Sequence, residues 1–137
     1  SNPVFFNETL LNNIKLGDLF IKNKEIEYLI AKFDLKKNIN SRARGLNLNL
    51  NSKNTDFSIG QLQRIQILRA ILHSKKILLI DEGLSNVEKK LANSIAAYVS
   101  SLKQNKTIFL VSHTFSTNKL FDYIIDLKQN TIEIKKN

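Results

Sequence analysis

"FSIGQLQRIQILRAIL", residues 57–72, is followed at residues 76–83 by "KILLIDEG" and at residues 107–113 by "TIFLVSH". Leu62, Ile65, Leu68 and Leu72 recur at helical spacing and predict an amphipathic helix that begins just after Gly60. "KILLID" is a short continuous apolar run ending in acid, the pattern of a strand buried on both faces. Val87, Leu91, Ile95, Val99 and Leu102 then recur every three or four residues, giving a further helix that Ser85 is placed to cap. "TIFLVS" reads as a second buried strand. Because a helix separates the two strands, the expected arrangement is a parallel pair joined by a crossover, and the fold class is α/β.

Outward from this unit, Ile26, Leu29, Ile30 and Phe33 in "KEIEYLIAKF" follow the i, i+3, i+4, i+7 rule of an amphipathic helix. The polar stretch from Asn38 to Asp56 has only spaced leucines and reads as an extended or loop connection. At the other end, "DYIIDL" and "TIEIKK", joined by "KQN", predict a terminal hairpin. No internal repeat is evident. The chain divides on this reading into a helical part, residues 1–75, and a strand-and-helix part, residues 76–137.

Composition limits the function classes. A chain of 137 residues with 42% hydrophobic content supports one real core, and its single proline and four glycines speak against a linker-rich sequence. It has no cysteine, which removes disulfides and thiolate metal sites. No apolar run approaches the roughly 20 residues of a membrane helix, and no signal peptide opens the sequence, so a soluble, intracellular piece is expected. The net charge is +9, but the lysines are dispersed rather than gathered on one periodic face, so no nucleic-acid partner is expected.

In a parallel strand–helix–strand unit, chemistry sits beyond the carboxyl ends of the strands. Asp81, Glu82 and His113 fall there. An Asp at the end of a buried strand followed at once by Glu suits metal-assisted phosphoryl chemistry: the first acid supports Mg²⁺, often through water, and the second orients or deprotonates an attacking water. A histidine on the neighbouring strand can reach the same terminal phosphate. Singly, each has a plainer reading, as a solvated strand end, a helix cap or a histidine satisfied by nearby backbone. Ser58, Ile59, Gly60 and Gln61 open a helix, so the N–H groups and positive dipole end there form an anion site, with Gly60 allowing close approach; a simple N-cap is the alternative.

Together these stretches resemble the nucleotide-binding domain of the ATP-binding cassette (ABC) family through nearly the whole chain. "FSIGQLQR" is similar to the family signature LSGGQ with its spaced Q-R pair: Ser58, Gly60, Gln61, Gln63 and Arg64 match, while Phe57 and Ile59 depart. "ILLIDE" resembles Walker B with the catalytic glutamate, Glu82. "EGLSNVEK" stands where the D-loop lies, with Ser85 matching and Glu88 in place of the usual Asp. "FLVSH" is similar to the switch strand, ending at His113. "NPVFFNETLLNNI" resembles the stretch after the Q-loop in exporter-type cassettes, through Pro3, Phe5, Phe6, Thr9, Asn13 and Ile14.

The resemblance implies a partial P-loop NTPase (RecA-like) parallel-sheet core with the ABC helical subdomain and a C-terminal β-hairpin. Two family elements are missing. No G-x-x-x-x-G-K-[ST] string is present, and the Q-loop glutamine would fall about where Ser1 stands. The chain therefore reads as the C-terminal part of a cassette. In the family, two cassettes face each other head to tail with ATP between them. Ser58, Gly60 and Gln61 are then expected on a nucleotide held by the partner cassette, with Ser85 in the D-loop. Asp81 (Mg²⁺, through water), Glu82 and His113 are expected to serve the nucleotide of their own cassette. For Ser85 and Glu88 the S-x-x-E spacing of a capping box is the competing local reading.

The function implied is ATP hydrolysis coupled to export, on the cytoplasmic side of a membrane, with a transmembrane domain and a second nucleotide-binding domain as partners. A soluble ABC-type ATPase acting on DNA or ribosomes, and a truncated non-catalytic regulator, are the alternatives. The isolated segment, with an unpaired sheet edge beside "KILLID", is expected to be inactive and to self-associate.

Overall fold

The computed structural model describes residues 4–50, 57–113, 118–127 and 131–136. Ser1, Pro3, the last part of the Asn38–Asp56 connection and the "KQN" link lie outside the described residues.

The chain begins with a two-residue strand, β1 (Glu8–Thr9), and a short helix, α1 (Leu10–Lys15). Thr9 caps α1, its hydroxyl accepting from the Asn12 N–H at 3.1 Å. Asn13 is buried and binds the preceding segment back onto the helix: its carbonyl oxygen accepts from the Phe6 N–H at 2.8 Å, and its amide donates to the carbonyls of Phe6, Glu8 and Thr9. Thr9 and Asn13, noticed as family-like positions, thus have local structural work. Helix α1 ends at Leu16 and Gly17, both at positive φ.

Helices α2 (Asn23–Lys32) and α3 (Lys36–Asn40) follow, with a 3₁₀ turn at Gly45–Asn47 and strand β2 (Asn49–Leu50) antiparallel to β1. The expected amphipathic helix is α2, with Ile26, Leu29 and Ile30 buried on one face and Phe33 buried at its end. The described part of the polar connection is more ordered than expected. Ile39 and Leu50 anchor it by burying their side chains, and the backbone between them takes up turns and the β1–β2 pairing.

Helix α4 (Ile59–His73), strand β3 (Ile77–Asp81), helix α5 (Lys89–Ser101) and strand β4 (Thr107–Val111) form the parallel unit, with register from Ile77↔Thr107 to Asp81↔Val111. Helix α4 touches α1, α2 and β3. Its buried face includes Gln63, Arg64, Ile65, Ile67, Leu68 and Ile71, whereas Leu62 and Leu72 of the expected stripe are only partly buried. A helix packed by neighbours on more than one side buries more than a single stripe.

The sheet departs from expectation in one respect. Leu78 and Ile80 are buried, but Ile77 and Leu79 are 63% and 64% exposed, as are large parts of Phe109 and Val111 on β4. Continuous apolar runs predict burial on both faces; among the described residues only one face is covered. A single core cluster nevertheless runs from Leu10 to Val99. The C-terminal hairpin, β5 (Tyr123–Leu127) with β6 (Ile132–Lys136), pairs Tyr123↔Lys136 and Leu127↔Ile132. Among the described residues no helix is long and apolar enough to cross a membrane.

Candidate functional site

The parallel register sets Asp81 opposite Val111, so the chain beyond each strand emerges at the same edge. The Glu82 N–H donates to the Val111 carbonyl at 3.1 Å, extending the pairing by one residue. Glu82 itself has φ 50, an unusual left-handed conformation for a residue with a side chain, and it turns the chain sharply off the sheet. That turn brings the Glu82 carboxylate (Oε1) within 3.2 Å of His113 Nε2. The two side chains are 45% and 78% exposed, so the pair is open to ligand. Asp81, the last residue of β3, is also exposed. Glu82 and His113 are thus in direct contact, an acid against an imidazole, while Asp81 ends β3 next to Glu82 in sequence, with no contact to either side chain among the described residues.

Among the described residues there is no group of three or more His, Cys, Asp or Glu side chains able to hold a metal. A strand-end carboxylate has the oxygen chemistry Mg²⁺ takes, one or two carboxylates with waters and substrate phosphate oxygens making up the rest.

The turn that opens α4 is a second centre. Ser58 is its N-cap: the Ser58 hydroxyl accepts from the Gln61 N–H at 3.2 Å, and Gln61 Oε1 accepts from the Ser58 N–H at 3.0 Å. This reciprocal capping box occupies the Gln61 side chain. Ile59, which departs from the family pattern, is 54% exposed and turned away from the core. Gly60 is pressed against the backbone of the loop between β3 and α5, where an added Cβ would overlap the Asn86 carbonyl oxygen. The close approach that glycine permits here is therefore to protein backbone, a constraint additional to the ligand-based one expected.

Two buried polar residues follow on the core side. Gln63 donates from Nε2 to the Ser85 hydroxyl at 3.0 Å and accepts from the Asn86 N–H at 3.0 Å. Arg64 donates from Nη1 to the carbonyls of Phe33 and Asp34 at 2.8 and 2.9 Å, and from Nε to the Gly60 carbonyl at 3.2 Å. Burial pushes the Arg64 guanidinium pKa down, opposed by the Asp34 carboxylate 4.0 Å away. These two residues were visible in the sequence only as family matches. The available physical signal was a Gln-Arg pair inside an otherwise apolar helix face, since buried polar side chains carry hydrogen-bond partners.

The Ser85–Glu88 capping box is corrected by the structure. Glu88 itself is the N-cap of α5, its carboxylate accepting from the N–H groups of Lys90 and Leu91 at 3.0 and 3.2 Å. Ser85 instead accepts from Gln63 and from the Asn86 side-chain amide. Helix α5 starts later than the expected cap, which leaves Ser85 in the loop.

A cleft of about 480 Å³ lies between these elements, lined by Asp34, Ser58, Gly60, Arg64, Asn86, Val87, Glu88, Lys90, Leu91 and Ser94. None of Asp81, Glu82 and His113 lines it. The candidate residues therefore form two groups, one at the strand ends and one around the first turn of α4. A further cleft, about 630 Å³, lies among Phe6, Glu8, Asn12, Asn13 and Lys15–Leu19.

A parallel strand pair with Asp81, Glu82 and His113 at its carboxyl end, and a capped, glycine-bearing helix turn in the same chain, make an α/β unit with candidate chemistry at the strand ends. The ABC transporter family profile matches residues 2–85, more than half of the sequence, and the chain belongs to that family. The multidrug resistance-like ATP-binding protein MdlA of Buchnera aphidicola is 36% identical over 128 residues, 93% of this chain and 22% of the relative. ATP-binding cassette sub-family B member 6 of Xenopus tropicalis is 32% identical over 96% of this chain and 15% of its own length. The probable multidrug resistance ABC transporter ATP-binding/permease protein YheI of Bacillus subtilis is 30% identical over 89% of this chain and 21% of its own length. The chain thus spans less than a quarter of each of these relatives.

Proposed function

We propose that this chain is the signature-bearing and strand-end part of an exporter-type nucleotide-binding domain, and that the whole protein couples ATP hydrolysis to movement of a substrate across a membrane. The observation that carries this reading is the contact between Glu82 and His113 just beyond the ends of two adjacent parallel strands, set apart from the Ser58–Gly60 turn.

In this reading Glu82 is the general base, taking a proton from the attacking water, and His113 hydrogen-bonds the terminal phosphate of the same nucleotide. Asp81 would hold Mg²⁺ through water, the ion supplying charge neutralisation between the phosphates. The first turn of α4 offers N–H groups and a positive dipole end to the phosphate of a nucleotide held by a second, head-to-tail cassette. Ser58 and Gly60 face that ligand. Gln61 acts by holding the Ser58 cap closed, and Ser85 belongs to the D-loop between the two groups. The separation of the groups is what a two-cassette sandwich needs: each chain contributes to two nucleotides. No Walker A string occurs in these 137 residues, so the phosphate cradle comes from outside them. The domain works on the cytoplasmic side of the membrane, joined to a transmembrane part.

The test is Ser58→Arg in the full-length polypeptide. ATP binding by the monomeric cassette is expected to stay unchanged while ATP-driven dimerisation, followed by light scattering, is lost. Equal loss of binding in the monomer would reject the action of Ser58 across the dimer. The 137-residue segment by itself is expected to show no hydrolysis of Mg-ATP and to self-associate through the open apolar face of Ile77, Leu79, Phe109 and Val111. A compact monomer with micromolar ATP affinity in sedimentation would overturn that part.

A further inference from the structure

We infer that Gln63 is a positioning residue that ties the Ser58 turn to Glu82, so that the two nucleotide sites served by one chain share a rigid connection. The inference rests on the reading above. Gln63 lies inside α4, five residues after the Ser58 cap, with 4% of its surface exposed. Both ends of its amide are used across 22 and 23 residues of sequence: Nε2 donates to Ser85 Oγ at 3.0 Å, and Oε1 accepts from the Asn86 N–H at 3.0 Å.

From Ser85 the path to Glu82 is three residues long and closed on itself. The Ser85 N–H donates to the Glu82 carbonyl at 3.2 Å, the Val87 N–H donates to Leu84, and the Leu84 side chain is buried. A second tie runs parallel to the first, because Gly60 packs against the Asn86 carbonyl with no room for a side chain. A movement of the α4 turn on engaging a nucleotide is therefore transmitted through Gln63 to the Glu82 backbone, which is held in a left-handed conformation that only its surroundings maintain. Gln63 touches no nucleotide in this scheme. Its effect is on where Glu82 stands.

The test uses the full-length polypeptide and compares Gln63→Leu, Gln63→Glu and Ser85→Ala. Loss of placement far from the chemistry lowers kcat by about 10-fold to 10²-fold in Gln63→Leu, with KM within about twofold of the parent. A glutamate at this position still accepts from the Asn86 N–H and from the Ser85 hydroxyl, so Gln63→Glu is expected to recover most of kcat. Adding Ser85→Ala to Gln63→Leu costs little more, because the bond between them is already gone. Hydrogen exchange at the Asn86 amide reports the tie without nucleotide, and it should accelerate in Gln63→Leu. Unprotected Asn86 with an unchanged kcat would overturn the inference, as would equal changes in kcat and KM. If Gln63→Leu does not fold, Ser85→Ala alone carries the test, and an unchanged kcat there overturns it. Failure of Ser58→Arg to block dimerisation would instead reject the underlying two-cassette reading, leaving the Asn86 exchange result intact.

Discussion

The first turn of α4 and the end of β3 are both built of motif residues, yet they are held in opposite ways. Around the turn, Gly60, Gln63 and Arg64 are buried and bonded to Phe33, Asp34, Ser85 and Asn86, so the motif is also a joint between three segments of the fold. At the strand end, Asp81, Glu82 and His113 lie open, with the Glu82–His113 contact joining two exposed side chains. A residue type can recur in a motif because the chemistry needs it or because the packing does. Burial separates the two here: substitutions at the strand end should alter rate without altering stability, substitutions at Gly60 and Arg64 should alter stability first, and Gln63, bonded to the loop that follows Glu82, should register in rate as well.

The largest effect expected is on rate. Glu82→Gln keeps the shape and the backbone donor but removes the carboxylate proposed as base, and turnover in the full-length polypeptide should fall by about 10²- to 10⁴-fold with ATP binding retained. Thermal unfolding should move little, within the roughly 0.5 kcal/mol usual for exposed positions. Near-normal turnover would remove Glu82 from the chemistry. A large loss of stability would instead erase the contrast between the two regions. His113→Ala should act in the same direction on rate.

On the other side of the comparison, Arg64→Leu should destabilise the domain by about 3 kcal/mol, because the Phe33 and Asp34 carbonyls lose their donor inside the protein. Denaturant unfolding of the domain measures this. Gly60→Ala should cost about 2 kcal/mol, since the new methyl meets backbone rather than a side chain that can rotate away. A Gly60→Ala variant as stable as the parent, with dimerisation lost, would shift the reason for glycine from the Asn86 contact to the nucleotide.

The parallel pairing and the placing of Glu82 and His113 at the same end of the strands were legible in the sequence because each follows from local pattern: apolar runs of strand length, a helix between them, and polar residues at their ends; the direct contact between the two was not. Ser58 capping was legible for the same reason, as Ser and Gln stand three residues apart. The roles of Gln63 and Arg64 were not, because their partners lie 22 to 31 residues away, at the end of α2 and in the loop after β3, where no local spacing points to them. The burial of β3 on two faces was over-read. "ILLID" is apolar at successive positions, and periodicity tells only that both faces are greasy, while what covers each face is decided by other segments. Ser85 was over-read similarly: S-x-x-E satisfies the spacing of a capping box, but where the helix begins decides which residue caps it.

Glu88 gives the smallest effect and the finest test of the same contrast. It lines the cleft beside Ser58 and Gly60, yet its carboxylate is bonded to the N–H groups of Lys90 and Leu91 at the start of α5. If Glu88 acts as a cap, Glu88→Ala should cost about 1 kcal/mol, the usual value for a lost N-cap side chain. Glu88→Asp should be neutral or slightly stabilising, because the shorter carboxylate is the better N-cap and also stays near the positive end of the helix. Turnover should change by less than about twofold in the Asp variant, since the local bonds survive. A Glu88→Asp variant with unaltered unfolding but a several-fold change in ATP-driven dimerisation would show that the extra methylene reads the partner cassette, and would move Glu88 from the structural side of the comparison to the functional one.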